Sequence, residues 1–465
     1  MRRNPWIVLV VLSLAQFMVI LDVTIVNVAL PAIQAGLHFT ADALQWVISA
    51  YTLVYGGFLL LGARAGDLFG RRSVLLLGMV LFGGTSLAGG LAGSPEMLIG
   101  MRAVQGLGAA LMSPVAFSIL MVVFSRGRAR TLAVSIWGAL SGLGGIGGVV
   151  LGGVLVNGIS WRWVFLVNVP VAVLLLVLVP LIVPNSRAAS GAGRRRFDVA
   201  GALLSTAGLF AIMLGVIRAQ DRGWGSVEVI GLLVAGVVLL AAFLLVERRL
   251  AEPLVSLRLL RSRALSLASL ELAFNGAGFL GLFFLLSVFL QQGVGLSALG
   301  AGLWLIPMGL AAIVSAIVTA QLATRVGTMP VLIAGSAISI AGIVLLLAVH
   351  PHTGFWVGVF PAQILFGIGL MAASNPAQVA AVHDIEHDHA GAASGIVNSG
   401  YQVGGAFGVA VASVVATSAH GGADAAFHAG LVVVLLFAVA QLVLSFAIPQ
   451  VRPSTEEAAE GAVGA

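Results

Sequence analysis

Fourteen apolar runs of membrane-spanning length follow one another through this chain of 465 residues. A helix crosses the hydrocarbon core of a bilayer in about 20 residues, and backbone groups inside that core must bond within their own segment. The runs do not alternate in the manner of barrel strands, so the sequence predicts helices. They lie at residues 6–30, 44–62, 74–92, 97–124, 131–157, 163–183, 199–217, 227–246, 264–290, 299–322, 330–349, 354–375, 391–418 and 427–449.

The composition indicates the same class of protein. Hydrophobic residues make up 60% of the chain and charged residues 9%, whereas about a quarter of the residues of an ordinary soluble domain are charged. We therefore predict an all-α polytopic protein of the cytoplasmic (inner) membrane, with the lipid bilayer as its surroundings. The chain has no cysteine, which excludes disulfides and thiol chemistry. The first apolar run is too long for a signal peptide and is expected to be retained.

The arginines predict the topology. All 23 basic residues are arginine, and when loops are assigned alternately to the two sides, nineteen fall on one side. Only Arg162, Arg218 and Arg222 fall on the other, and Arg102 lies within a helix. Short cytoplasmic loops carry the excess of basic residues, so both termini are predicted to be cytoplasmic. The net charge of +6 is explained by these loops, and no nucleic-acid partner is predicted.

Two polar segments, 184–198 and 247–263, divide the runs into six, two and six. We predict an N-terminal six-helix bundle (1–185), a linker region with two extra transmembrane helices (186–263), a C-terminal six-helix bundle (264–450) and a cytoplasmic tail (451–465).

The two outer groups of six share motifs. Gly106-Leu107-Gly108 in the fourth run is echoed by Gly367-Ile368-Gly369 in the twelfth, and the fifth and thirteenth runs are both glycine-rich. Repeated halves are typical of transporters that alternate access around a midplane site. The alternative is that glycine-rich membrane helices resemble one another by composition alone.

Three ionisable residues lie well inside the runs: Asp22, Arg102 and Glu271. An aspartate at the centre of a spanning helix costs roughly 2.5 to 3.5 kcal/mol, and such residues usually face a partner or a wet cavity. At 1.5 Å per residue, Asp22 and Arg102 both fall in the outer third of a core of about 30 Å. They can pair if the first and fourth helices are neighbours. We predict that all three residues serve proton coupling, the alternatives being a static ion pair and, for Glu271, contact with water.

Polar residues near these positions suit a cavity wall that contacts substrate. Asn27 follows Asp22 by five residues, Asn275 lies one turn after Glu271, and Gln105 belongs to the same motif as Arg102. Polar contacts between helices would explain them equally well.

The segment 63–72 (ARAGDLFGRR) is predicted to be the cytoplasmic loop between the second and third helices. Its glycines permit a tight turn, and Asp67 can cap a helix or pair with an arginine. We predict a conformational latch formed by Asp67, Gly70, Arg71 and Arg72; a purely topogenic arginine cluster is the alternative.

In the fifth helix, Gly148, Gly152 and Gly153 belong to a surface of small residues. Such a surface lets helices pack closely and slide against each other; ordinary close packing is the alternative. The cluster His383, Asp384, Glu386, His387, Asp388 and His389 has some metal-ligand spacing, but a solvated polar loop accounts for it. No metal site, nucleotide motif or cofactor is predicted.

Four of these segments together resemble the fourteen-helix drug:proton antiporters of the major facilitator superfamily, the EmrB/QacA type. They are residues 21–31 (LDVTIVNVALP), 63–72, 102–110 (RAVQGLGAA) and 161–170 (WRWVFLVNVP). The chain departs from the family pattern at Ala63 and Leu68 in the loop motif. It also has Val149 where the fifth-helix motif carries a proline, which puts the local kink in doubt. Residues 299–322 lack the extra acid of relatives that export divalent cations, which tilts the expected substrate towards monocationic, neutral or zwitterionic amphiphiles.

The resemblance implies a major facilitator fold and a proton-coupled antiporter that exports hydrophobic small molecules such as drugs, antibiotics or toxic amphiphiles by alternating access. It implies a monomeric secondary active transporter, not an enzyme, with the proton gradient in place of a cofactor. The alternatives are a dedicated exporter of one endogenous metabolite or self-made antibiotic, a proton-coupled importer, and, remotely, a membrane-embedded enzyme.

Overall fold

The computed structural model describes residues 4–124, 127–184, 198–248, 259, 262–382, 385, 390–419 and 421–450. These segments are helical almost throughout. The helices are α1 Pro5–Leu37, α2 Ala41–Phe69, α3 Arg71–Gly90, α4 Pro95–Val123, α5 Gly127–Gly158, α6 Trp163–Ile182, α7 Val199–Arg222, α8 Val227–Glu247, α9 Arg263–Val288, α10 Ala298–Val326, α11 Thr328–Leu346, α12 Phe360–Val382, α13 Ala390–Ser418 and α14 Gly422–Ser445. Helix α6 consists of Trp163–Leu166 and Asn168–Ile182, and π-helical turns at Phe289–Gly293 and Phe355–Val359 adjoin α9 and α12.

Within the described residues, thirteen of these helices are long and apolar enough to cross a membrane. Helix α2 is bent by 51° between Trp46–Leu59 and Leu61–Phe69, and it makes the total fourteen when its two parts count as one span. The all-α polytopic class is confirmed. The number fourteen and the cytoplasmic position of the termini stay predictions.

Several helices begin at a capping side chain and therefore start before the apolar segments that predict them. Asn4 accepts a hydrogen bond from the backbone N–H of Trp6, with Pro5 at the first helical position. Thr40 caps α2 and Ser262 caps α9 in the same way. Such side chains satisfy backbone donors that have no partner within the helix.

The prediction of a loop at residues 63–72 is wrong. Residues 63–69, including Asp67, belong to α2, and α3 begins at Arg71, so Gly70 alone separates the two helices. Its φ of 96° lies in a region that glycine enters without steric cost, and this permits the reversal within one residue. Asp67 accordingly does not cap a helix.

The chain groups into two compact units. The first comprises residues 1–119, 143–257 and 386–399, and the second 120–142, 258–385 and 400–465. Helices α7 and α8 belong to the first unit, where Met213 and Phe210 of α7 lie against Gly56 and Gly57 of α2. The predicted domain boundaries stay predictions, because residues 185–197, most of 249–261, and the tail lie outside the described residues.

The glycine motifs make equivalent contacts in the two units. A Cβ on Gly106 would strike a backbone carbonyl of α2, and one on Gly367 would strike a carbonyl of α10. Gly108 lies as closely against the backbone of α3, and Gly369 against that of α11. Equal composition alone would not reproduce these neighbours, so the contacts support an internal repeat.

Candidate functional site

In the first unit, Asp22 of α1 forms a buried ion pair with Arg102 of α4. Arg102 Nη1 lies 2.5 Å from Asp22 Oδ2, and the side chains are 1% and 0% exposed. Helices α1 and α4 are therefore neighbours at this depth, which is the condition under which the two residues can pair. Breaking such a pair by removing one partner typically costs 3 to 5 kcal/mol, since a charge is left buried.

The second carboxylate oxygen of Asp22 accepts two amide hydrogen bonds. Gln105 Nε2 of α4 and Asn168 Nδ2 of α6 each lie 2.8 Å from Oδ1. Gln105 also accepts from Arg102 and donates to Ser86 of α3. Because the guanidinium only donates and the carboxylate only accepts, these contacts fix the orientation of the Gln105 amide.

Helix α2 holds Arg102 from the other side. Arg102 Nε donates to the Val47 carbonyl over 2.9 Å, and the guanidinium carbon lies 4.2 Å from the ring centroid of Tyr51. A cation over an aromatic face is favourable, more so away from water. Side chains and backbone of α1, α2, α3, α4 and α6 therefore meet around one carboxylate.

This arrangement is matched to the ionised form of Asp22. Three N–H groups point at its two oxygens, and a carboxylate accepts with both oxygens without donating. Adding a proton would remove the negative charge that pairs with Arg102.

In the second unit, Glu271 of α9 is fully buried and does not reach water. Its Oε1 accepts a hydrogen bond of 2.8 Å from Gln441 Nε2 of α14. Its Oε2 has no hydrogen-bond partner among the residues that the structure describes. A buried carboxyl with one free oxygen is costly unless it is protonated or meets a ligand.

Other buried amides lie in the second unit. Asn275 donates to the Leu370 carbonyl of α12 over 3.4 Å, while its Oδ1 has no partner within the described segments. Gln363 of α12 is 1% exposed, and neither of its amide atoms is hydrogen-bonded there. Asn27, in contrast, is exposed and donates to the Val23 carbonyl of its own helix.

The predicted latch residues lie together at the α2–α3 junction. Arg71 Nη2 donates to Asp67 Oδ1 over 2.8 Å, and the two side chains are 2% and 1% exposed. Arg72 donates to the Pro180 carbonyl in the last turn of α6, where carbonyls have no partner within the helix. Gly70 makes the turn between the two helices.

Glycines at intervals of four on α5 face α1. A Cβ on Gly144, Gly148 or Gly152 would meet the α1 backbone near Phe17, Leu21 or Ile25, and Gly153 is buried. In the second unit, α13 presents the same spacing to α9, with Gly400, Gly404 and Gly408 against Ser269, Ala273 and Ala277. Helix α5 continues unbroken through Val149. These surfaces permit close helix approach.

Sequence reasoning did not select Asn168, Ser86, Tyr51 or Gln441. Asn168 lies in the resembling segment 161–170, which was the available signal. The others are ordinary polar residues in apolar helices, and only their neighbours distinguish them. The cluster at 383–389 falls outside the described residues, apart from Ile385.

Apolar helices of membrane-spanning length that bury charged and amide side chains define a multi-pass membrane protein. A sequence model described as the Major Facilitator Superfamily matches residues 12–409 and 273–463. The chain belongs to this superfamily, and its resemblance to antibiotic exporters is confirmed by its relatives.

Puromycin resistance protein pur8 of Streptomyces alboniger is 38% identical over 95% of this chain and 90% of that relative. Cephamycin export protein CmcT of Amycolatopsis lactamdurans is 37% identical over 96% and 93%. Multidrug resistance protein Stp of Mycobacterium tuberculosis (strain CDC 1551 / Oshkosh) is 32% identical over 88% and 76%.

Two solved structures share the fold. The human organic anion transporter MFSD10 (TETRAN) has a TM-score of 0.67 at 18% identity, covering 96% of this chain and 100% of that one. The proton:xylose symporter XylE, bound to 6-bromo-6-deoxy-D-glucose, has a TM-score of 0.67 at 15% identity, covering 98% of both chains. The protein is a transporter and a multi-pass protein of the inner membrane.

Proposed function

We propose that this protein exports hydrophobic small molecules of the antibiotic class from the cytoplasm or inner leaflet in exchange for protons. The observation that carries the proposal is the buried carboxylate of Asp22, which accepts from Arg102, Gln105 and Asn168. Its relatives support export as the direction, since CmcT is named an export protein and pur8 a resistance protein.

Proton binding at Asp22 would supply the coupling. The ionised carboxylate ties α1 to α4 and α6, and protonation would weaken that tie by removing the charge that pairs with Arg102. A substrate that binds the deprotonated arrangement more tightly would expel the proton, and a proton arriving from outside would favour substrate release. The two ligands then compete through one bistable element, which is the minimum that coupling requires.

Glu271 is proposed as a second proton-binding group. It has one amide donor, Gln441, and no ion pair among the described residues, so its burial as an anion is poorly compensated. The amides of Asn275 and Gln363 have unfilled hydrogen-bonding capacity in the same unit. We propose that they contact polar groups of the substrate; Asn27 and Gln105 are the candidates for such contacts in the first unit.

The latch proposal rests on the buried Asp67–Arg71 pair. With Gly70 and Arg72, it fixes the angle between α2 and α3 and would hold the cytoplasmic ends in one of the two transport states. Gly148, Gly152 and Gly153 would let α5 slide on α1 when protonation weakens the ion pair between α1 and α4.

The substrate range separates two versions of the proposal. Pur8, CmcT and the lincomycin resistance protein of Streptomyces lincolnensis are named after a single antibiotic, whereas Stp is named a multidrug resistance protein. A dedicated exporter of one self-made antibiotic is therefore the second candidate. A panel that includes single antibiotics and unrelated cationic and neutral amphiphiles distinguishes them by how many compounds are recognised.

The test is proton release from purified protein in weakly buffered detergent as each compound is added. We expect release from the wild type, and loss of most of it in Asp22→Asn. Glu271→Gln reports the second group, and Glu96→Gln is the matched control, because Glu96 is exposed at the start of α4.

Transport direction is measured in proteoliposomes with an imposed pH gradient. Substrate moving against the inward proton flow supports antiport, whereas movement with the protons would identify an importer. Full pH-driven transport in Asp22→Asn would refute the proposed role of that carboxylate.

A further inference from the structure

Three side chains that are distant in sequence meet where α11 ends and α14 begins. They are His350, Asp424 and His428, and their ligand atoms all lie within 4.8 Å of one another. His350 follows the end of α11, while Asp424 and His428 are one turn apart in α14. All three belong to the second unit, on the side of the membrane that the arginine pattern predicts to be external.

The distances suit a shared cation. His350 Nδ1 lies 3.0 Å from Asp424 Oδ2, and His428 Nδ1 lies 3.5 Å from Asp424 Oδ1. In a tetrahedral zinc site with bonds of about 2.0–2.1 Å, adjacent ligand atoms are separated by about 3.3 Å.

In His428, both ring nitrogens face backbone carbonyl oxygens. Nε2 lies 3.0 Å from the Leu347 carbonyl oxygen, and Nδ1 lies 2.8 Å from the Asp424 carbonyl oxygen. A neutral imidazole donates from only one nitrogen. If Nε2 donates to Leu347, the lone pair of Nδ1 faces oxygen atoms, and a metal ion or a second proton at Nδ1 would relieve that repulsion.

The contact with Leu347 is the one that a metal-binding histidine makes. A ligating histidine almost always donates its other ring N–H to a carbonyl or carboxylate, which fixes the ring. Here the Leu347 carbonyl is available because it lies just past the last residue of α11.

The surrounding backbone holds the ligands in place. His350 N–H donates to Thr353 Oγ1 over 2.9 Å, and Thr353 N–H donates to the His350 carbonyl over 2.8 Å. At the start of α14, Phe427 stacks on Phe289 with ring centroids 4.1 Å apart. Preorganised ligands of this kind lower the cost of binding.

We propose that His350, Asp424 and His428 bind one divalent transition-metal ion of the zinc class, joining the ends of α11 and α14. Two imidazoles and one carboxylate suit zinc and its first-row neighbours rather than magnesium or calcium. The His350 side chain is 59% exposed, which leaves a path for entry and an open side for a water ligand. The site is independent of the proposed transport function.

The experiment is calorimetric titration of ZnCl2 into full-length, metal-stripped protein purified without a polyhistidine tag. It is paired with thermal unfolding, and MgCl2 serves as the second probe. We expect one zinc ion per chain at this site and a zinc-dependent rise in melting temperature, because a ligand that binds only the folded state stabilises it. MgCl2 should produce neither effect.

His350→Ala and Asp424→Asn should each weaken zinc binding by at least about ten-fold, a loss that even indirect partners of a metal produce. His352→Ala is the matched control, since His352 is exposed in the same loop and is not among the three ligands. All variants are compared in a background with alanine at positions 383, 387 and 389, so that zinc bound there is not counted.

Equal zinc affinity in wild type and His350→Ala would overturn the proposal, as would absence of zinc binding. A melting temperature that zinc does not change would also overturn it, and would leave a proton alone between His428 and Asp424. His350 is exposed, so its replacement should leave the fold intact, which size-exclusion chromatography verifies.

Discussion

The ion pair between Asp22 and Arg102 makes a quantitative prediction about the stability of the first unit. In Asp22→Asn, the new amide has one oxygen and one nitrogen where the carboxylate has two acceptors. If its oxygen faces Arg102, its NH2 group meets the amide donors of Gln105 and Asn168, and the reverse orientation sets NH2 against the guanidinium. Neither orientation satisfies the site.

We therefore expect Asp22→Asn to lower the free energy of unfolding by about 3–5 kcal/mol, since Arg102 is left buried without its countercharge. Arg102→Gln should cost a similar amount because it strands the carboxylate. The double variant has no buried charge at this position. Its loss should fall short of the sum of the single losses by about 2–3 kcal/mol, the upper range for residues in direct contact.

The assay is unfolding of the purified protein by SDS titration in mixed micelles, followed by tryptophan fluorescence, for the wild type, both single variants and the double variant. The pair Arg218–Glu228 provides the control cycle, with an N–O distance of 3.6 Å and side chains 33% and 45% exposed. Exposed pairs contribute about 0–1 kcal/mol. Additivity within about 0.5 kcal/mol at Asp22 and Arg102 would refute the inference that this ion pair stabilises the fold.

Three further predictions use the same unfolding assay. Gly148→Ala should lower the free energy of unfolding by about 1–3 kcal/mol through overpacking, because its Cβ would lie 2.7 Å from the Leu21 carbonyl oxygen. Gly145→Ala is the control and should be near neutral, because nothing lies within 4 Å of its Cβ. Gln441→Leu should cost about 1–3 kcal/mol by removing the donor to buried Glu271, and adding Glu271→Leu should recover much of it; no recovery would contradict this account. Asn168→Leu should also cost about 1–3 kcal/mol, and an unchanged stability would show that its contact is dispensable.

Prediction from sequence succeeded where one local property determines the outcome. Apolar length predicted the helices, because lipid offers the backbone no alternative partner. Depth along each helix predicted that Asp22 and Arg102 can meet, because the rise per residue is fixed. The prediction from apolar length was wrong at 63–72, where the apolar segment ends before the helix does and a single glycine makes the turn.

The partners of the charged residues could not be predicted in this way. Ser86, Asn168 and Gln441 each lie in a different helix from the residue they contact, and polar residues at such positions are equally compatible with contacts between helices. The proposed metal site illustrates the same limit, since His350 is separated from Asp424 by two further helices, α12 and α13.

The sequence by itself determined that this protein lies in a membrane, that it is helical and to which superfamily it belongs, because hydropathy and motif spacing are properties of single segments. Only the tertiary structure decided which oxygen of Asp22 each donor reaches, that Glu271 is buried against Gln441, and that two histidines and an aspartate share one place. The physical reason is that hydrogen bonds and ion pairs act over about 3 Å. The packing of helices, and not their order along the chain, brings groups within that distance.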